Sequence, residues 1–125
     1  MPTHKYIIVY KNTELKKLGK HCVAELYGCD HSILDNEKTL IAIIKESIDV
    51  AGATLLEISS HKFNPQGVTI VALLSESHIS IHTWPEDGNV ALDVFTCGNC
   101  KPDLALLHII NFLKPTEYNM NCFDR

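Results

Sequence analysis

The chain has 125 residues, 46% of them hydrophobic and 21% charged, with a formal net charge of −4. Those values predict one soluble globular domain spanning residues 1–125. Nucleic-acid binding is excluded by the acidic balance, because "KNTELKK" is short and mixed in sign. The apolar run in "MPTHKYIIVYKNTE" is too short for an export signal or a membrane span. Five cysteines (Cys22, Cys29, Cys97, Cys100, Cys122) without such a signal predict free thiols in a reducing cytoplasm. A domain this small has little surface to spare for a deep pocket, so a site built between subunits is expected.

Taken in order, "HKYIIVY" (His4–Tyr10) suggests a short strand, and "KHCVAELY" (Lys20–Tyr27) alternates and ends at glycine, as a strand does. "CDHSILDN" reads as a loop whose Asp35 or Asn36 caps a helix over Glu37–Gly52, with Gly52 as its stop. Strands follow at 53–63 and 68–75, separated by the turn "NPQG". "HISIHTW" (His78–Trp84) alternates strictly, and "VALDVFTC" (Val90–Cys97) is the next strand. "KPDLALLHIINFLK" forms a helix with Pro102 near its first position, and "TEYNMNCF" forms a last strand. The fold expected is α+β: a two-layer sandwich of one mostly antiparallel sheet with two helices on one face.

The stretch "SESHISIHTW" (Ser75–Trp84) carries the chemistry. Alternation puts His78, Ser80 and His82 on one face and Ile79, Ile81 and Thr83 on the other. A solvated outer face would explain this pattern without any function. However, Glu76-Ser77 follows an apolar strand at a sharp bend, where a serine hydroxyl reaches the carbonyl of the residue before it. His82 supplies an acid or base, and Cys97 sits at a strand end beside Gly98, where a thiol is accessible. A hydrolase triad lacks its "GxSxG" elbow, and a cysteine-protease site leaves the serine unexplained. Self-cleavage at a serine is the third possibility.

The run "GVTIVALLSESHISIHTWPE", with "DVFTCG", "GKHCVAELYGC" and "AGATLLEISSHKFNPQG", resembles the prokaryotic S-adenosylmethionine decarboxylase proenzymes over about residues 19–113. The resemblance implies that the chain cuts itself between Glu76 and Ser77, giving chains 1–76 and 77–125. The Ser77 hydroxyl attacks the Glu76 carbonyl, the resulting ester is eliminated, and hydrolysis with loss of ammonia leaves a covalent pyruvoyl group derived from Ser77. That carbonyl forms a Schiff base with the substrate amine and takes up the charge left by CO2. By position, the resemblance makes His82 the acid/base of processing, Cys97 the proton donor to the decarboxylated carbon, and Thr69 a hydroxyl that assists processing where relatives often have serine. Phe63 stacks on the adenine and Glu86 holds the ribose hydroxyls.

The function implied is conversion of S-adenosylmethionine to its decarboxylated form, an aminopropyl donor for spermidine, by a dimer of cleaved protomers with sites between them. Two alternatives stand beside it: an arginine or ornithine decarboxylase with the same machinery, and a non-catalytic regulatory homologue. No metal is expected, because the lone "CGNC" pair of Cys97 and Cys100 is weak evidence for zinc. Cys22, Cys29 and Cys122 read as small packed residues and Trp84 as a core or interface residue. Glu25 either lines the site or faces solvent, and His78 has no assigned role.

Overall fold

The computed structural model describes residues 15–125, so the strand expected at His4–Tyr10 lies outside the described residues. The elements run β1 (Lys20–Tyr27), α1 (His31–Leu34), α2 (Glu37–Ala51), β2 (Leu55–Lys62), β3 (Val68–Leu74), β4 (Ser77–Trp84), β5 (Asn89–Thr96), α3 (Pro102–Leu113) and β6 (Glu117–Asp124). The strands form one sheet in the order β2-β3-β4-β5-β1-β6, and each neighbouring pair is antiparallel. This is the two-layer α+β sandwich that the alternation predicts.

The helix signals act as read. The Asn36 side chain accepts from the Thr39 N–H at 3.1 Å, and Gly52 ends α2 in the left-handed conformation with φ +74°. The segment expected as a loop contains α1, which is too short to show periodicity. Asp30 caps it, accepting from the N–H groups of Ser32 at 2.8 Å and Ile33 at 3.3 Å.

Alternation sorts each central strand into a buried and an open side. Ile70, Ile79, Ile81, Val94 and Leu26 are fully buried with Leu40, Ile44, Leu106 and Ile109 of the long helices. Burying one such side chain contributes about 1.5–3 kcal/mol. The opposite side of β1, β4 and β5 carries His21, Glu25, His78, Ser80, His82 and Asp93, half-buried or exposed.

The expectation that all five cysteines are free is corrected. Cys22 of β1 and Cys122 of β6 are direct partners in the antiparallel ladder, their Cα atoms 4.1 Å apart, and they form a disulfide. Such cross-strand pairs place their side chains on the same face. Sequence spacing does not reveal the pairing, since the two lie 100 residues apart.

Candidate active site

Three loops meet at one end of the sheet. The β3–β4 turn has only Ser75 and Glu76 between the paired residues Leu74 and Ser77. Two-residue hairpins normally take positive φ within the loop. Here the positive φ falls on Ser77, at +149°, a region that costs a residue with a side chain about 1–3 kcal/mol. The backbone is therefore strained at the residue whose N-side peptide bond is the expected cleavage point.

The turn is also pinned. The Ser75 N–H donates to the Thr54 carbonyl at 3.0 Å, and the Thr54 N–H donates to the Glu76 carboxylate at 2.9 Å. That backbone bond, with a further one from the Ser75 hydroxyl, holds the Glu76 carboxyl below the usual range. The Cys97 N–H donates to the Glu76 carbonyl oxygen at 3.0 Å, a donor where negative charge would develop during attack on that carbonyl. The Cys97 side chain is exposed beside it.

The other end of the sheet holds the remaining sequence-predicted residues. Phe63, Thr69, His82 and Glu86 line one cavity of about 360 Å³ between the β2–β3 and β4–β5 turns. Thr69 Oγ1 and His82 Nδ1 are hydrogen-bonded at 3.1 Å, because the two residues are direct partners across β3 and β4. Trp84, read from sequence as core or interface, is 45% exposed and lines the same cavity. The run of polar residues facing outward beside it was the only available signal. Glu25 faces the open side and lines a neighbouring cleft with His82.

These two groups do not meet within the protomer. His82 follows Ser77 by five positions, and a strand rises about 3.3 Å per residue, so roughly 16 Å of extended strand separates them. No bend in the strand returns His82 to Ser77, because β4 stays paired with β3 and β5 along this length.

His78 is placed by a third group. Its Nε2 lies 3.0 Å from Asp93 Oδ2, and His21 Nε2 lies 2.7 Å from the same oxygen, while Ser80 donates to Asp93 Oδ1. Burial pushes the Asp93 carboxyl up, but these hydrogen bonds outweigh it and hold the group below its ordinary value. Two imidazoles and a carboxylate are ligand types for a metal. The hydrogen bonding favours a proton instead. The guanidinium of Arg125, which can only donate, lies 3.2 Å from His21 Nδ1, so the ring proton of neutral His21 sits on Nε2, facing Asp93. His78 thus ties the residue after Ser77 to β5.

The free thiols differ in setting. Cys29 is buried, which pushes its pKa up to about 11. Burial, then the charges of Glu76 and Cys97, also raise that of Cys100, whose thiol donates to the Gly52 carbonyl at 3.4 Å. Limited iodoacetamide treatment followed by peptide mapping is expected to label Cys97 first and leave Cys29 unmodified. Labelling of Cys29 ahead of Cys97 would contradict this arrangement.

Comparison with known proteins bears on both ends of the sheet. The family profile described as S-adenosylmethionine decarboxylase matches residues 20–125, which include both groups of residues. An S-adenosylmethionine decarboxylase proenzyme of Methanococcus aeolicus is 50% identical over 107 residues, covering 85% of this chain and 92% of that protein. One from Synechococcus is 52% identical over 109 residues, covering 86% and 85%. The crystal structure of the adenosylmethionine decarboxylase from Aquifex aeolicus superimposes with a TM-score of 0.82 at 37% identity, covering 89% of this chain and 92% of that one. With sequence, length and sheet all in agreement, the chain belongs to the S-adenosylmethionine decarboxylase family.

Proposed function

We propose that the chain is a self-processing decarboxylase of S-adenosylmethionine that cuts itself between Glu76 and Ser77, carries a pyruvoyl group made from Ser77, and works as a dimer in the cytoplasm. The observation that carries the processing step is the strained Ser77 backbone next to a Glu76 carbonyl held by the Cys97 N–H at 3.0 Å. The Ser77 hydroxyl attacks that carbonyl, the Cys97 N–H stabilises the oxygen as it gains charge, and cleavage relieves the strain. Loss of the Ser77 α-proton then expels the Glu76 carboxylate, and water replaces the nitrogen, which leaves as ammonia.

The residues present fit the group. Residue 77 begins a strand, so the new carbonyl would stand at a chain end beside the exposed Cys97 thiol. When formed, it supplies a ketone that accepts the substrate amine and the electrons released with CO2. Cys97 returns a proton to the substrate carbon. Phe63 offers an exposed aromatic face to an adenine, and Glu86 offers two oxygens to a ribose diol. An arginine or ornithine needs neither contact.

The separation of the two ends supports the dimer. Ser77 and Cys97 need the base and the nucleoside pocket that lie roughly 16 Å along β4. A two-fold dimer with its partner reversed sets His82 of the partner subunit beside Ser77, twice per dimer. Release of labelled CO2, measured in parallel on S-adenosylmethionine, arginine and ornithine, tests the substrate. Release from S-adenosylmethionine alone is expected, and release from arginine or ornithine alone would overturn the assignment.

A further inference from the structure

Among the described residues, three polar side chains are buried in the core: Ser47, Thr83 and Thr96. Two are satisfied. The Ser47 hydroxyl donates to the Ile44 carbonyl at 2.7 Å. Thr83 donates to the Leu34 carbonyl at 2.8 Å and accepts from the Val68 N–H at 2.9 Å. Thr96 is 1% exposed, and its hydroxyl has no hydrogen-bond partner among the described residues. A buried hydroxyl without a partner is destabilising, and valine would fill nearly the same space without that cost.

Its position gives the hydroxyl a use. Thr96 is the residue across the ladder from Ser77, and it precedes Cys97. Side chains of directly opposed residues lie on one face with Cβ atoms about 4.5–5.5 Å apart. Processing changes what residue 77 offers such a neighbour. The serine oxygen leaves on the Glu76 carboxylate and the nitrogen leaves as ammonia, so an N–H donor disappears. An oxygen from water takes its place as a ketone, which can only accept. The precursor thus holds an idle donor next to the point where processing creates an acceptor.

We propose that Thr96 is a catalytic residue of the processed enzyme, its hydroxyl donating to the ketone oxygen at position 77. This inference rests on the reading of Ser77 as the source of that ketone. A donor there fixes the orientation of the carbonyl and draws electron density from its carbon, which favours attack by an amine. The price in stability is borne by the precursor, where the donor is unpaired.

The test uses Thr96→Val and Thr96→Ser in the full chain. In the uncleavable Ser77→Ala background, Thr96→Val is expected to raise Tm by about 3–5 °C, since it removes an unpaired buried hydroxyl. With Ser77 present, intact mass is expected to show cleavage continuing. Trapping of the ketone by phenylhydrazine and kcat should both fall by about tenfold or more, and Thr96→Ser should restore both. A hydroxyl with only a structural role would give the opposite sign, a lower Tm in the valine variant. Cleaved Thr96→Val that traps phenylhydrazine at the parent rate would overturn the assignment to Thr96 alone. A parent chain that never cleaves would overturn the processing reading, and this one with it.

Discussion

Replacing Ser77 with alanine is expected to leave a single uncut chain with no phenylhydrazine-reactive carbonyl and decarboxylation at background. The substitution removes two things in succession. Without the hydroxyl there is no nucleophile for the Glu76 carbonyl, although the Cys97 N–H and the Thr54 contacts that hold the turn do not involve the Ser77 side chain and remain. Without cleavage there is no ketone, so substrate binding alone produces no CO2. Intact mass separates the outcomes. Two fragments from Ser77→Ala would mean that another group breaks the bond, and the acyl shift would be wrong. Full activity from an uncut chain would remove the need for a ketone altogether.

The second large effect concerns His82. Alone, His82→Ala is expected to accumulate uncut or ester-linked chain, because the base that takes the Ser77 α-proton is missing. Co-folding His82→Ala with Ser77→Ala separates a site within one protomer from a site shared between two. In a mixed dimer, Ser77 of the first variant faces His82 of the second. With random pairing at equal amounts, about half of the His82→Ala chains should then be cleaved and carry activity. No cleavage in the mixture, together with a dimer by light scattering, would show that Ser77 and His82 act within one chain. The structure would then have to bend β4 out of its ladders on both sides, against pairing that runs from Ser77 to Trp84 on the β5 side.

Much of the fold was legible because burial imposes short periods on the sequence. The strict alternation of His78–Trp84 named both faces of β4, and the caps at Asn36 and Gly52, with Pro102 at the first position of α3, located the two long helices. Helix α1 was not legible, since four residues make one turn and their signal is a single capping aspartate. Nor was the Cys22–Cys122 bond, which depends on β1 and β6 pairing in one register. The candidate site residues were named from sequence, but their grouping in the structure was not legible there. Five positions look close on a page, whereas in an extended strand they span the sheet. Thr96 escaped notice for a related reason: a missing hydrogen bond has no sequence signature.

The strand order has a consequence for what a self-cut chain becomes. Fragment 1–76 would own β1, β2 and β3, and fragment 77–125 would own β4, β5 and β6. In the sheet they alternate: β2 and β3 from the first, β4 and β5 from the second, β1 from the first, β6 from the second. Three seams between strands join the fragments, and the Cys22–Cys122 bond crosses one of them. Each fragment also brings one of the two long helices that cover the sheet. The fragments are thus laced through one another, and neither has a complete core to fold around alone. A cut between residues 76 and 77 would therefore leave the fold whole, because three strand seams and the disulfide hold its two parts together without that bond.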